Sequence, residues 1–293
     1  MFPSPSITPP TLENYQWEYN GLTLGANTPY GVLKAEGLDF ATPRHGDIPW
    51  PRDHGEARGL DVFGGRDVIL DLWVKSDGTS LQHALLALAA AQNIMPTAEM
   101  PLWFQLPNLP IMCVMCRPRK RTYPIDSDYS AANIAKPELS LHATDPRIYS
   151  AGKEASVALG DSPETGGLIA AVNAGNTETR FVVIFQGEVE NPALQNLVIS
   201  QEPTLRFTLP GEPEENTVPP DYQLSVNTGI PHLVQLYNGT VAEGDWTTAM
   251  KLLTWDSIWY DLIPGENTLR YHASATSNPA STATVQWASA WNL

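Results

Sequence analysis

The amino-acid sequence predicts a mainly β protein built from two domains. Its 293 residues are about twice the length of a typical domain of roughly 150 residues. Charged residues make up only 17% of the chain and 26 residues are proline, a composition that suits strands and turns better than a helical bundle. Short apolar runs separated by turn residues recur along the sequence. We therefore expect one domain over residues 1–150 and a second over residues 151–293.

The clearest strand of the first domain covers residues 66–75. Val68, Leu70, Leu72 and Val74 lie on one face of this segment, and this repeat of two is typical of a half-buried strand. Further strands of the first domain are predicted at 15–19, 31–40, 101–106, 111–116 and 138–143.

A single helix is predicted directly after this strand, over residues 80–92. Its apolar residues recur at steps of three and four, which places them on one helix face. These residues are Leu81, Ala84, Leu85, Leu88 and Ala91. Asp77 or Thr79 is the expected N-cap residue. The alanines of this helix favour close packing against a sheet.

Residues 41–65 contain several prolines and glycines but few aliphatic residues. A long stretch without periodicity is usually functional or disordered, and we interpret this one as an arm or an interface loop. Four of its side chains are the candidate contacts between subunits: Trp50, Arg52, His54 and Arg58.

The second domain contains short β-rich runs and no convincing helix. Turn signals such as Asn238-Gly239 and Pro264-Gly265 separate several of them. This pattern predicts an antiparallel β-sandwich. Its strands are expected at 155–159, 180–189, 197–200, 204–209, 222–227, 232–237, 250–255, 259–263, 267–275 and 283–291.

The chain is acidic, with a formal net charge of -15 and a pI of about 4.7. Residues 1–150 carry 12 basic and 16 acidic side chains, a net charge of -4, and residues 151–293 carry 5 and 16, a net charge of -11. An acidic surface repels phosphates, so nucleic acid and anionic membranes are poor partners. The start of the chain has no secretory signal pattern, and the uncharged stretch 81–98 is too polar to span a membrane.

Two groups of metal-ligating residue types occur in the sequence. Cys113 and Cys116 have the CxxC spacing but no second pair, and on a strand they would point to opposite faces. We interpret them as structural cysteines. A second group lies in the proline- and glycine-rich segment without a recognisable metal-binding frame, and we favour a polar loop there: His45, Asp47, Asp53, His54 and Glu56. No metal site and no cofactor are expected.

The sequence contains no nucleophile elbow and no phosphate-binding loop. Glu188 with Glu190 and Asp256 with Asp261 are carboxylate pairs of the kind that glycosidases use, but acidic residues on exposed strand faces explain them more simply. The prediction is a protein that is not an enzyme, with a glycoside hydrolase as a rival hypothesis.

One basic cluster follows the strand predicted at 111–116. Its residues are Arg117, Arg119, Lys120 and Arg121. Four such charges could bind phosphate, but in an acidic chain we favour a surface that docks another protein.

Tryptophan is concentrated near the end of the chain, at Trp246, Trp255, Trp259, Trp287 and Trp291. Core or interface positions are the usual role of tryptophan. Exposed tryptophans on a β-sandwich would also suit stacking on sugars, so a carbohydrate-binding module that contacts host glycans stays open as an alternative function.

Several segments of this sequence resemble the distal tail proteins, also called minor tail proteins, of siphophages, particularly those of actinobacterial phages. The segments that carry the resemblance are 139–152, 175–196, 259–275 and 283–293, supported by 20–25, 66–75 and the following helix. The resemblance covers most of the chain and concerns pattern and element order more than any invariant site.

This resemblance implies a ring-forming domain related to tail-tube proteins at 1–150 and a galectin-like β-sandwich at 151–293. It implies a structural protein of the virion, at the distal end of the tail, made in the host cytoplasm. The implied partners are five further copies in a hexameric ring, the tail tube protein, the tape measure protein and tip or fibre proteins. DNA would be met only in transit, and no membrane is implied. The segment 41–65 would be the arm that neighbouring subunits exchange.

Overall fold

The structure, a computed structural model, describes residues 8–51, 54–76, 80–92, 98–125, 129, 132–159, 167–199, 205–207, 217–218, 222–229, 231–238, 246–273 and 280–292. The chain divides into two compact units. The first unit contains Pro3–Ala151 and Asn292–Leu293, and the second contains Gly152–Trp291. Both consist mainly of antiparallel strands, which confirms the predicted mainly β fold class. The ring-forming role of the first unit and the galectin-like label of the second stay predictions.

The elements of the first unit are numbered along the chain. They are β1 (Gln16–Tyr19), β2 (Leu22–Gly25), β3 (Tyr30–Glu36), β4 (Pro43–Arg44), β5 (Ile48–Pro49), β6 (Glu56–Ala57), β7 (Val62–Phe63), β8 (Arg66–Lys75), α1 (Leu81–Ala91), β9 (Met100–Gln105), β10 (Met112–Thr122), β11 (Ile134–Ala135), β12 (Glu138–Ala143) and β13 (Ile148–Ser150).

The main sheet of the first unit follows the strand order β11, β8, β12, β10, β9, β1, β2, with β3 also paired to β8 and β13 to β10. β8 has the bounds that its alternation predicts. Its predicted core face, Val68, Leu70, Leu72 and Val74, is at most 1% exposed. The free energy gained by burying every second side chain thus determines which face of β8 points to the core.

Helix α1 confirms the predicted helix, but its cap differs from the expected one. Ser80 is the N-cap residue, and its hydroxyl accepts the His83 N–H at 3.1 Å. Asp77 and Thr79 lie outside the described residues. Serine is as good an N-cap as aspartate. Leu81, Ala84 and Leu88 are the buried residues of the helix.

Strand β10 is longer than predicted and includes the basic cluster. The predicted strand covers residues 111–116, and the next residues include Pro118, a residue type that is rare inside sheets. In the structure β10 continues to Thr122, and its pairing with β12 shifts register between Pro118 and Lys120. A β-bulge therefore accommodates a residue that cannot donate a ladder hydrogen bond.

In its described residues, the second unit contains strands and one short 3-10 helix. They are β14 (Glu154–Leu159), β15 (Gly167–Asn173), β16 (Phe181–Gln186), β17 (Val189–Glu190), β18 (Ala193–Asn196), β19 (Leu205–Arg206), β20 (Thr217–Val218), β21 (Tyr222–Asn227), β22 (Leu233–Asn238), β23 (Trp246–Thr248), the 3-10 helix Met250–Leu252, β24 (Gly265–His272), β25 (Thr282–Trp287) and β26 (Ala290–Trp291).

Two antiparallel sheets of the second unit share one core. One sheet has the order β14, β25, β16, β21, β22, β23, and the other has the order β15, β24, β18, β19. Phe181 and Phe185 of the first sheet belong to the same buried cluster as Ile169, Leu194 and Leu269 of the second sheet. Two sheets that bury their inner faces against each other form a β-sandwich, as the sequence predicts.

Three predicted strands of the second unit are wrong. Residues 250–255 contain the 3-10 helix, residues 197–199 form a turn, and residues 259–263 contribute only a bridge between Leu262 and Thr179. Four strands were not predicted at all. β15 contains glycine and two alanines, β18 is polar at Gln195 and Asn196 although both are buried, and β20 and β23 are only two and three residues long. Residues 197–199 and 259–263 are rich in β-forming residues yet form no strand, so tertiary pairing overrides local propensity in these segments. Within the described part of the chain, no helix has the length and apolarity needed to cross a membrane.

Candidate interaction surfaces

The described residues of 41–65 form two nested antiparallel ribbons, and we call this segment the arm. β4 pairs with β7, and β5 pairs with β6. Between the two ribbons the backbone at Gly46 and the backbone at Gly59 approach closely. A Cβ on Gly59 would lie 1.9 Å from the carbonyl oxygen of Gly46. At the tip the Trp50 N–H donates to the Gly55 carbonyl at 3.1 Å. The described part of the segment therefore forms local ribbons, and its role as an exchanged arm or as an interface loop stays a prediction.

The arm presents large apolar side chains to solvent. Ile48 is 67% exposed, Trp50 is 55% exposed and Leu60 is 80% exposed. Phe63 is also exposed and packs edge-on against Phe40, with ring centroids 5.0 Å apart. Single exposed apolar residues are ordinary, but several on one short ribbon are typical of a surface that another chain covers.

Three of the four candidate subunit contacts lie among the described residues. Trp50, His54 and Arg58 are all exposed on the arm. Arg52 lies outside the described residues. The structure also adds Ile48 and Leu60, which the sequence analysis missed because neither belongs to a periodic pattern.

Arg66 lies at the base of the arm and is 2% exposed. Its guanidinium donates to the carbonyl oxygens of Gly37 and Pro146, each at 2.8 Å, and to that of Asp39. A further N–H donates to the side-chain oxygen of Asn292 at 3.0 Å. Burial lowers the pKa of this guanidinium, partly opposed by Asp39. Because one side chain bonds the backbone at 37–39, the backbone of Pro146 and the side chain of Asn292, the base of the arm is held in place within the first unit.

The metal-ligating residue types of the arm hold the ribbon together. The structure groups His45 and Asp47 with Asp61, and their ligand atoms lie within 4.8 Å of one another. His45 Nδ1 lies 3.1 Å from an Asp61 oxygen, and Asp47 accepts the Gly59 N–H at 2.8 Å. All three are exposed. Asp53 lies outside the described residues, and His54 and Glu56 do not belong to the group that the structure forms.

The basic cluster is divided between structural and exposed side chains. Arg121 donates to the carbonyl oxygens of Ala89 and Gln92 at 3.1 and 3.4 Å, where α1 ends. Cations stabilise helix C-termini. Lys120 forms an exposed ion pair with Glu138 at 3.4 Å. Arg119 is exposed and Arg117 is half-buried, so a docking role for this cluster stays a prediction that rests mainly on Arg119 and Lys120.

Both cysteines lie in the buried part of β10 and are fully inaccessible. Burial raises the pKa of Cys113 to about 12. Burial, with smaller contributions from Glu99 and Cys113, raises the pKa of Cys116 further. A thiol that stays protonated is a poor nucleophile and a poor metal ligand. This confirms the interpretation of both residues as structural cysteines.

An open groove of about 820 Å³ lies beside β3 and β8 in the first unit. Tyr15 and Trp73 line it, together with Lys75, whose ammonium lies 5.3 Å from the centre of the Trp73 ring. Gly31 allows the indole to approach the backbone, because a Cβ there would lie 2.1 Å from the Trp73 ring. The groove combines aromatic faces with one cation, which suits an aromatic or acidic side chain.

The tryptophans of the second unit differ sharply in exposure. Trp287 is 3% exposed and its indole N–H donates to the Val172 carbonyl at 2.9 Å. Trp259 stacks on His232, with ring centroids 4.2 Å apart and planes 5° apart. Trp291 is half-buried, and nothing is described for the side chain of Trp246. Trp255 is 97% exposed.

Of the carboxylate pairs, Asp256 forms an ion pair with Arg206 at 3.2 Å. Glu190 lies in β17 and is half-buried. Neither observation supplies the arrangement of a proton donor and a nucleophile on which a glycosidase depends.

The fold of the two β-rich units is similar to that of solved phage hub and baseplate proteins. The chain is similar to the Dit protein of phage SPP1, described as a paradigm of the hub adsorption apparatus in phages that infect Gram-positive bacteria. The TM-score is 0.64 and the identity 16%, over 93% of this chain and 97% of that one. It is also similar to a chain of the phage P2 baseplate in its activated conformation with Ca. The TM-score is 0.56 and the identity 10%, again over 93% of this chain and 97% of that one. The P2 baseplate with Sr gives a TM-score of 0.55 and 10% identity.

No protein-family model matches the sequence, and no curated protein matches it. At 10–16% identity the similarity concerns the fold. It confirms the hub-protein fold that the sequence resemblance implied, and it leaves assembly and partners to be tested.

Proposed function

We propose that this chain is a structural protein of the phage tail tip. It assembles through the arm into a hexameric ring, which joins the tail tube to the tip or fibre proteins. The proposal rests on one observation above the others: a chain with the fold of tail hub proteins carries an arm with exposed Ile48, Trp50 and Leu60.

The energetics of the arm favour contact with another subunit. An isolated two-stranded ribbon is at best marginally stable in water. Burying a side chain the size of Trp50 or Leu60 stabilises a contact by about 1.5–3 kcal/mol. An arm that docks on a different surface of the next copy makes a heterologous contact, and repeated heterologous contacts close into a ring when the rotation allows it.

The charge of the chain suits a ring through which DNA passes. Each copy carries a formal charge of -15, and phosphates gain little from a surface without counter-charges. DNA is therefore met in transit and not held. The tail tube protein and the tape measure protein are the proposed partners on one side of the ring, and tip or fibre proteins are the partners on the other side. The role is structural, and no reaction is assigned to the chain.

The arm is tested with the double variant Ile48→Ser, Trp50→Ala. Leu86→Ser is the matched control, since Leu86 is an exposed leucine of α1 (69% exposed). Wild-type protein and the control should incorporate into tails when supplied to a phage that lacks the gene, and the arm variant should not. Negative-stain images of tails and the mass of the purified protein provide the readouts.

Normal tails containing the arm variant would contradict assembly through the arm. An oligomer other than a hexamer, in solution and in tails, would contradict the proposed ring size.

A further inference from the structure

Trp255 is exposed in a way that the fold of the second unit does not explain. Its side chain is 97% exposed, so it contributes almost nothing to the core of the sandwich. A solvent-exposed tryptophan does not contribute the large stabilisation that burial of its ring would provide. Trp287 and Trp259, in the same unit, both use their rings for packing or hydrogen bonding.

The turn that carries Trp255 is held rigidly by β19. The Ser257 N–H donates to the Thr254 carbonyl at 3.1 Å, which closes a turn with Trp255 and Asp256 at its two central positions. The Thr254 N–H and the Ser257 hydroxyl donate to the Arg206 carbonyl at 3.0 and 3.1 Å. The Arg206 N–H donates back to the Ser257 hydroxyl at 3.0 Å. Such a turn is ordered before any ligand binds, so binding does not lose conformational entropy by ordering it.

An ion pair joins the turn that carries Trp255 to β19. Asp256 follows Trp255 directly, and its carboxylate lies 3.2 Å from the Arg206 guanidinium. Their side chains are 39% and 36% exposed. The Thr254 hydroxyl, and more weakly Arg206, lower the pKa of Asp256. The carboxylate accepts hydrogen bonds and the guanidinium donates them, so the Trp255 turn and β19 together offer both functions that a hydroxyl group requires.

We propose that Trp255, Asp256 and Arg206 form a binding site for a neutral saccharide. The C–H face of a hexopyranose ring stacks on the indole, and neighbouring hydroxyls bond the carboxylate and the guanidinium. This site goes beyond the proposed assembly function, because it would act in the second unit whether or not the ring has formed.

Two physical arguments favour a neutral saccharide over other ligands. An apolar pocket of a partner protein would strip water from the Arg206–Asp256 pair, and desolvating an ion pair is costly. Sugar hydroxyls replace that water instead. The second domain carries a net charge of -11 over residues 151–293, and this charge disfavours anionic polysaccharides.

The test uses the full chain labelled with 5-fluorotryptophan and observed by ¹⁹F NMR. The variant Trp255→Phe removes one resonance and so assigns it. Maltohexaose, cellohexaose and chitohexaose are the neutral probes, and hexagalacturonate is the anionic probe. At least one neutral probe should shift the Trp255 resonance with a Kd of about 1 mM or tighter, and hexagalacturonate should not.

Two variants separate this site from a general effect. Asp256→Asn should weaken the binding about tenfold, since it removes a charge-assisted hydrogen bond. Ile258→Ala, a change at a neighbouring exposed residue (64% exposed), should leave it unchanged. A Trp255 resonance that no neutral probe shifts, or equal weakening by both variants, would overturn the proposal. Because the experiment observes soluble protein, it can fail while the assembly proposal holds.

Discussion

The guanidinium of Arg66 donates to carbonyls at Gly37, Asp39 and Pro146 and to the side chain of Asn292. A buried side chain with this many acceptors is costly to remove, because each carbonyl then loses its partner without regaining water. At the scale of single residues, Arg66 is therefore the side chain whose loss should most affect the base of the arm.

Arg66→Met should lower the free energy of unfolding of the first unit by about 2–4 kcal/mol. Arg58→Met is the matched control, since Arg58 is exposed on the arm, and its effect should stay within about 0.5 kcal/mol. Urea denaturation of both variants measures the difference. Equal stability of the two variants would contradict the role of Arg66.

The buried thiols of β10 predict that stability decreases at alkaline pH. Folding raises the pKa of Cys113 from 9.0 to about 12 and also raises the pKa of Cys116. Above pH 9 the unfolded chain loses these protons while the folded chain keeps them, so stability falls as the pH rises through the unfolded pKa. Below that pH both states are protonated and the thiols cause no pH dependence.

Cys113→Ala should lower stability at neutral pH through the cavity it leaves, yet it should flatten the decrease above about pH 9. Urea denaturation of wild type and variant across the alkaline range measures both slopes. Parallel pH profiles would show that the Cys113 thiol does not titrate differently in the folded and unfolded states.

At the scale of elements, α1 and β10 stabilise each other through Arg121. The helix begins at a side-chain cap, Ser80, but the side chain that bonds its last carbonyls belongs to a strand 29 residues or more away in sequence. The arginine cluster therefore contains one member that stabilises the fold and others that are exposed.

Arg121→Met should destabilise the first unit by about 1–2 kcal/mol, because two helix carbonyls lose a charged donor. Arg119→Met, in the same strand and exposed, should change stability by less than about 0.5 kcal/mol. Thermal and urea denaturation provide the comparison. If Arg119→Met is the more destabilising change, the division of the cluster is wrong.

The accuracy of the sequence-based prediction varied between elements for a physical reason. β8 has the predicted bounds because one of its faces is buried along the whole strand, and a period of two is then visible in the sequence. Residues 250–255 look similar in composition, yet they include a 3-10 helix whose Leu252 packs into the core. Runs this short do not distinguish a strand from a turn of helix.

At the scale of the whole molecule, the charge of -15 sets how copies approach each other. Like charges repel over the Debye length, which falls from about 30 Å at 0.01 M salt to about 8 Å at 0.15 M. If the arm holds copies together by apolar contact, added salt screens the repulsion and leaves the attraction in place.

The fraction of assembled protein should therefore rise as salt is added over this range, as measured by mass photometry at fixed protein concentration. The arm variant Ile48→Ser, Trp50→Ala should stay dissociated throughout. Assembly that weakens with salt would mean that charge pairs, and not the apolar arm, hold the copies together.

The sequence by itself determined the mainly β class, the helix after β8 and the structural character of the two cysteines. Each of these depends on local periodicity, on composition or on the absence of a second motif, and such features act over a few neighbouring residues. The hub fold was also anticipated, through a resemblance in the order of elements.

Only the tertiary structure decided which side chains the surface presents. Arg66 and Asn292 are 226 residues apart in sequence, and the turn that exposes Trp255 is held by Arg206, which lies 48–51 residues before the bonded residues. The sequence does not distinguish which of the five tryptophans near the end of the chain are buried and which are exposed. They differ because burial is set by long-range pairing of strands, which no local pattern encodes.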